Sequence, residues 1–328
     1  MAKIVRFHEV GGPEVLHVED LPVGEPGPGE ILLNIEAIGL NRGEAAFRGG
    51  HYIFKPTLPS FIGGEAAGRV LKVGPGVDEL AAGDMAAFLP IAMPGHRSIY
   101  GEQAIIEAVS VVKAPAGLDA VQNASTWVAF LTAWGGLEAG NLRKGQTVVI
   151  TAASSGVGLA AIQIARDIGA TVIATTRGKG KFDALREVGA HHVVATDEQD
   201  IKAEVAGLTG DKGAELIFDP VAGPFAETLF ECVADMGMLM IYGGMANKPH
   251  IFPRQLAIRK NLTMRGYNFR ELLLDRPRLM SVMEKIAERV RDGRFKMPVA
   301  KVFKLDEVVE AHRFLEANTH IGKIVMRP

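Results

Sequence analysis

Residues 152–158 read Ala-Ala-Ser-Ser-Gly-Val-Gly and stand between two patterned segments. Before them, 147–151 is the apolar, β-branched run Thr-Val-Val-Ile-Thr, which reads as a buried strand. After them, apolar residues fall at 157, 160, 161, 164, 165 and 168, the spacing of a helix with one apolar face. A tight, small-residue turn from strand to helix aims backbone N–H groups and a helix N-terminus at one point, where an anionic pyrophosphate can be held. Ala153, Ser154, Ser155, Gly156, Val157 and Gly158 are therefore candidate cofactor contacts. Ala153 and Ser155 replace the first two glycines of a strict G-x-G-x-x-G turn, while Gly158 keeps helix and sheet close. The small side chains still permit close approach, and a serine hydroxyl adds a hydrogen-bonding group.

The next strand, 171–175, runs into Thr175-Thr176-Arg177-Gly178-Lys179-Gly180-Lys181. A site for NAD places an acid here to hold the ribose 2′-hydroxyl. No Asp or Glu occurs from 171 through 182. Thr175 and Thr176 offer hydroxyls, Arg177 a planar fork for a phosphate, and Lys181 a point charge. The composition of this segment predicts NADPH rather than NADH as the cofactor.

These residues need a frame of strands and helices. Strand and helix patterns alternate from about 147 to 242, with further strands at 193–194, 215–219 and 238–242 and a helix at 182–188. That alternation implies right-handed βαβ units and a doubly wound parallel sheet, an α/β fold of Rossmann type. The first 110 or so residues differ. Short apolar segments at 31–38, 66–73 and 85–89 are punctuated by Gly and Pro clusters, as in a compact β-barrel or sandwich. Beyond 262 the pattern changes again, with amphipathic helices at 275–291 and 305–316 and a closing strand at 323–326.

Length and composition agree with two domains. The chain has 328 residues, 48% hydrophobic and 23% charged, which excludes a mostly disordered chain. Lys plus Arg is 36 and Asp plus Glu 38, so no strong field gathers nucleic acid or anionic membrane. Cys232 is the one cysteine, leaving neither an intramolecular disulfide nor a multi-cysteine zinc lobe. The alternating N-terminus is expected to be a strand rather than a signal peptide. The stretch 114–142, free of Lys and Arg but holding Asp119, Asn123 and Glu138, reads as buried protein rather than a membrane span.

Further motifs extend the pattern. They are Gly11-Gly12-Pro13-Glu14-Val15-Leu16, Pro26-Gly27-Pro28-Gly29-Glu30, Gly39-Leu40-Asn41-Arg42, Arg48-Gly49-Gly50-His51-Tyr52, Gly63-Gly64-Glu65, Asp219-Pro220-Val221-Ala222-Gly223 and Gly322-Lys323-Ile324-Val325. With the turn at 152–158 they resemble the medium-chain dehydrogenase/reductase superfamily, and within it the zinc-free quinone oxidoreductase branch that includes zeta-crystallin. The resemblance covers nearly the whole chain. It implies a GroES-like β-barrel catalytic domain at 1–122 and 263–328, interrupted by a Rossmann NADP-binding domain at 123–262. It also implies an active site in the cleft between the domains and a homodimer joined through the Rossmann sheets, or a tetramer.

In zinc members of the superfamily a Cys and a His hold the catalytic metal where this chain has Asn41 and Gly64. Neither residue replaces a thiolate or imidazole, so no metal is expected. Hydride transfer without a Lewis acid favours acceptors that delocalise the resulting anion, such as quinones and α,β-unsaturated carbonyls. By match to the branch, Asn41 would donate an amide N–H to the substrate oxygen, Tyr52 would donate its hydroxyl and relay a proton, and Thr132 would stand beside cofactor and substrate. Asp219 and Val221 would flank the ribose, and Tyr242, Gly243 and Gly244 the nicotinamide. Pro220 and Thr196 depart from the branch, which has a small hydroxyl residue and often a tyrosine there. The loop at 90–97 could cover the cleft or be plain surface.

The expected activity is thus an NADPH-dependent, metal-free oxidoreductase acting on a small molecule in the cytoplasm. A trans-2-enoyl thioester reductase of the same fold is the enzymatic rival. An NADPH-binding structural or regulatory protein with little turnover is the rival of another class.

Overall fold

The computed structural model describes residues 1–91 and 95–328. Residues 92–94 of the loop 90–97 lie outside the described residues. The strands are β1 (Ala2–Phe7), β2 (His17–Leu21), β3 (Glu30–Gly39), β4 (Ser60–Phe61), β5 (Ala66–Val73), β6 (Met85–Phe88), β7 (Gln103–Glu107), β8 (Val111–Lys113), β9 (Thr147–Ile150), β10 (Thr171–Thr176), β11 (His192–Ala195), β12 (Ala214–Asp219), β13 (Val233–Ile241), β14 (Thr263–Gly266), β15 (Val299–Lys304) and β16 (Lys323–Arg327). The helices are α1 (Arg42–Arg48), α2 (Ala120–Ala139), α3 (Gly156–Ile168), α4 (Phe182–Val188), α5 (Ile201–Thr209), α6 (Gly223–Cys232), α7 (Arg254–Lys260), α8 (Arg270–Leu273), α9 (Arg276–Arg291) and α10 (Val308–Ala317).

The chain forms two units, Met1–Val128 with Met297–Pro328, and Ala129–Lys296. In the first, β15, β16, β3, β5, β6 and β8 form one sheet that β7 joins by pairing with β3, and β2, β1 and β4 form another. Alternation along β3 buries Ile31, Leu33 and Ile35 against Val5, Phe7, Val70, Phe88 and Ile106 in one core. Gly68 is obligatory in β5, because a Cβ there would stand 1.9 Å from the Asn34 carbonyl oxygen of β3. The last strand, β16, closes onto β3 through Val325 opposite Gly39.

In the second unit the six strands lie in the order β11-β10-β9-β12-β13-β14, all pairs parallel. The order runs outward from β9 in one direction and from β12 in the other. The reversal between them opens a crevice at the carboxyl ends of the strands, the place where such sheets bind ligands. Val148, Val149, Ile150, Ile173, Ile217 and Leu239 are fully buried, as expected of a sheet covered on both faces.

Two expectations change here. The boundaries expected after 122 and after 262 fall at 128 and 296. β14 continues the Rossmann sheet, with Met238 to Ile241 in register with Thr263 to Gly266. Helix α9 buries Leu279, Val282, Met283 and Ile286, and Gln163 of α3 exchanges hydrogen bonds with the Lys296 backbone at 2.9 and 2.7 Å. The segment 263–296 therefore belongs to the Rossmann unit. Its first strand sits at the sheet edge and is largely exposed, so it lacks the apolar signature of the inner strands.

Candidate functional site

The turn after β9 is built as its sequence implies. Ser155 caps α3 by accepting the Gly158 N–H at 3.1 Å, and Ala153 is buried with its N–H on the Thr175 carbonyl at 3.1 Å. Gly158 has no alternative, since a Cβ there would lie 2.6 Å from Ala153 Cα. Gly156 and Val157 form the first turn of α3, whose backbone N–H groups have no acceptor within the helix. The basic segment after β10 meets this turn: Lys181 Nζ donates to Ser154 Oγ at 3.0 Å. Burial, and then the nearby Arg177, lower the Lys181 pKa from its ordinary value. Lys181 thus feels a second cation, a repulsion that an anionic ligand would relieve. Thr175 and Thr176 end β10 and are buried.

The loops after β12 and β13 complete this edge. Asp219 is fully buried and accepts from Thr151 Oγ1, from Val221 N at 3.2 Å and from Ala222 N at 2.7 Å. Its carboxylate is thus spent on holding the 219–222 turn, where Ala222 has φ +56°. Asp219 thereby positions this loop. Tyr242 stacks on Phe218, with ring centroids 4.0 Å apart, and its buried hydroxyl faces Ser155 of the turn after β9. A Cβ on Gly243 would meet the Pro220 carbonyl oxygen at 2.8 Å, whereas Gly244 borders open space. Thr132 lies buried in the same unit, in α2.

The donor set fits a phosphorylated dinucleotide. A helix N-terminus with two serines suits a pyrophosphate, and Arg177 and Lys181 suit a further phosphate.

In the first unit Asn41 and Tyr52 come together at α1. Asn41 precedes the helix, and its backbone N–H donates to Glu44 Oε2 at 2.8 Å. Its side chain is fully engaged. Nδ2 donates to the Gly39 carbonyl and to Glu65 Oε2, each at 3.2 Å, and Oδ1 accepts from Lys323 Nζ at 2.8 Å. An amide has two N–H donors, and both are committed within the protein. These contacts fix the orientation of the Asn41 amide at the start of α1. Tyr52 lies over Gly43, its ring carbon Cε2 3.2 Å from where a Cβ would stand, and packs edge-on to Phe54. Burial raises the Tyr52 pKa, and the Glu44 charge raises it further, so the phenol holds its proton.

The partners of Asn41 include Glu65 and Lys323, which stood in quoted motifs without a role, and Glu44, which was not singled out from sequence. Glu44 accepts Gly64 N at 2.7 Å and Tyr100 Oη at 2.6 Å in addition to Asn41 N. Burial lifts its pKa, opposed by these three hydrogen bonds. Glu65 receives Lys323 Nζ at 2.7 Å and, on its other oxygen, the Val128 N–H at 2.9 Å. Asn41 and Glu44 have capping-box spacing, a signal available in the sequence. The Glu65–Lys323 pair spans 258 positions and left none. Below this corner Arg48 is buried and donates to Gly11 O, His312 Nδ1 and Glu316 Oε1 at 3.1, 2.8 and 2.7 Å, anchoring the end of α1 four residues before Tyr52. Among the described residues no three His, Cys, Asp or Glu side chains converge as metal ligands, and no helix is long and apolar enough to cross a membrane.

A GroES-like unit joined to a Rossmann unit with a phosphate-binding turn defines a medium-chain dehydrogenase/reductase. Residues 27–116 match the alcohol dehydrogenase GroES-like domain, and residues 156–288 match the zinc-binding dehydrogenase family model. The quinone oxidoreductase of Pseudomonas aeruginosa is 32% identical over 100% of both chains, and the 2-haloacrylate reductase of a Burkholderia species 30% identical over 100% of this chain and 99% of its own. The Escherichia coli quinone oxidoreductase solved with NADPH superposes with a TM-score of 0.93 at 27% identity, covering 99% of this chain and 100% of that one. The chain belongs to the quinone oxidoreductase branch of the medium-chain dehydrogenase/reductase superfamily.

Proposed function

We propose that this protein is an NADPH-dependent reductase of quinones or α,β-unsaturated carbonyls. The observation that carries the reading is the corner of Asn41, Glu44, Glu65 and Lys323, in a chain whose relatives are named for quinone and 2-haloacrylate. The hydrogen bonds of this corner are made within it and leave the neighbouring Tyr52 phenol to meet an acceptor, and Asn41 and Gly64 stand where thiolate and imidazole would be needed for zinc.

Ser154, Ser155 and the first turn of α3 would hold the pyrophosphate, and Arg177 with Lys181 the 2′-phosphate. Thr132, Val221, Tyr242, Gly243 and Gly244 would border the remainder of the cofactor. When bound, NADPH supplies a hydride. Tyr52 keeps a proton at Oη and directs it to the acceptor oxygen, where negative charge gathers as the acceptor is reduced. Asn41 and Glu44 hold the start of α1 so that this phenol has a fixed platform. The compartment proposed is the cytoplasm. The assembly proposed is a homodimer through edge strand β14, supported by exposed Met264 on that strand and by exposed Ile251, Phe252 and Ile258 before it.

The test follows NADPH and NADH consumption against quinones, 2-enones, enoyl-CoA thioesters and simple ketones in the presence of EDTA. Rapid NADPH-dependent turnover of quinones or enones is expected. Turnover of enoyl thioesters alone would move the assignment to an enoyl reductase, and NADPH binding without turnover to a non-catalytic role. Arg177→Ala with Lys181→Ala should raise KM for NADPH far more than for NADH. Equal losses would overturn the 2′-phosphate assignment.

A further inference from the structure

Lysine is almost never fully buried unless paired. Lys323 is 4% exposed at the start of β16, and its partner Glu65 is fully buried. An ammonium has three N–H donors, and here all three are used: Leu40 O at 2.8 Å, Asn41 Oδ1 at 2.8 Å and Glu65 Oε2 at 2.7 Å. The three acceptors come from the end of β3, the cap of α1 and the turn before β5. One buried cation thus ties the last strand of the chain to the platform under Tyr52.

A buried ion pair is weak evidence for stability, because desolvation of both charges offsets their attraction. What this pair does supply is geometry. The ammonium on Oδ1 fixes which way the Asn41 amide faces, and so sends Nδ2 toward Gly39 and Glu65. It also supplies charge. The groups around this corner are the Glu44 and Glu65 carboxylates, the Tyr52 and Tyr100 phenols and the Lys323 ammonium. Within this corner the ammonium offsets the charge of the Glu65 carboxylate that it touches.

We propose that Lys323 is a positioning residue of the reductase site, an internal ammonium that fixes Asn41 and Glu65 and holds the α1 platform on which Tyr52 acts; this inference rests on the reductase reading above. It requires the cation itself, so a cation supplied from solution should replace it. Lys323→Ala removes Cγ to Nζ, a volume that n-propylammonium matches atom for atom.

The experiment measures kcat, KM for NADPH and the unfolding temperature for the full chain and for K323A, with n-propylammonium, propan-1-ol or tetramethylammonium added at constant ionic strength. In K323A, kcat is expected to fall about 10–100-fold, as for loss of a partner that orients a site ligand, with KM for NADPH nearly unchanged. Propylammonium should restore kcat saturably, while propanol and tetramethylammonium should not. Restored unfolding temperature without restored kcat would reduce Lys323 to a structural role and overturn the proposal. E65Q/K323M guards against a variant that fails to fold, because it removes both charges and keeps the volume. It should fold and show the same kcat loss, and wild-type kcat in it would overturn the proposal. Wild-type protein inactive toward every acceptor would overturn the reductase reading itself, and an active wild type with no rescue would overturn only the role of Lys323.

Discussion

At the scale of single residues, the proposed reaction turns on a phenol that keeps its proton. Tyr52 is half-buried beside Glu44, and both burial and that charge raise its pKa above the ordinary value of 10.0. The donor form is the protonated one, so activity should hold through neutral and mildly alkaline pH and fall only as pH rises past 10. We predict that Tyr52→Phe loses on the order of 10²-fold or more in kcat, the usual contribution of a positioned acid, and loses that alkaline limb as well. Initial rates from pH 6 to 11 check both. An unchanged limb in the variant would assign it to another group. Tyr52 and Asn41 stood out from their motifs, but the contacts that hold Asn41 did not. An amide shows its donors in a sequence and hides whether they are already taken. Here they are taken by Gly39 and Glu65, and the ammonium that sets the amide orientation lies 282 positions away.

At the scale of elements, the most regular patterns were the most legible. Helix α3 occupies the residues its apolar spacing marks, and β5 likewise, because one buried face imposes one period. Helix α2 left no such trace. It is apolar nearly all round and buried along most of its length, so its sequence reads only as interior. Its register is set instead by two glycines. A Cβ on Gly135 would stand 2.1 Å from Tyr267 Oη, and one on Gly136 2.5 Å from Phe218 Cε2. Gly→Ala inside a helix ordinarily gains about 1 kcal/mol. At Gly135 the clash should exceed that gain, because overpacking a tight core costs about 1–3 kcal/mol and the Tyr267 ring has little room to retreat. We predict that Gly135→Ala is destabilised in urea unfolding. Tyr267→Phe should cost little alone, since that hydroxyl is buried without a partner, and should rescue Gly135→Ala when combined with it. Additive losses in the double variant would show that the hydroxyl is not what the alanine meets.

At the scale of the whole molecule, two properties follow from where charge and apolar surface end up. His312 is fully buried, its Nδ1 accepts from Arg48, and burial with that cation pushes its pKa down to about 3. The unfolded chain binds a proton at this residue near pH 6.5. Between those values the unfolded state holds more protons, so stability is full above pH 6.5 and is lost as pH falls, by up to about 1.4 kcal/mol per pH unit. His312→Asn offers Arg48 an acceptor that does not titrate, and the difference in unfolding free energy between the two proteins should shrink steadily from pH 7 to pH 4. The proposed assembly is argued from the edge of the Rossmann sheet. The boundary read at 262 was misplaced because β14 is exposed and polar enough to look like linker, yet it completes the parallel sheet and leaves its outer edge unpaired among the described residues. An open edge flanked by exposed Met264, Ile258, Ile251 and Phe252 is a surface that soluble chains cover or blunt, and β14 carries neither proline nor an extra turn that would block pairing. Pairing with a second copy across a two-fold axis satisfies both the backbone and the apolar side chains. Sedimentation of the wild type is expected at twice the 35.1 kDa chain mass. Met264→Glu with Ile258→Glu, both exposed in the single chain, should sediment as a folded monomer with unchanged NADPH binding. A variant that remains dimeric would place the interface on another face of the molecule.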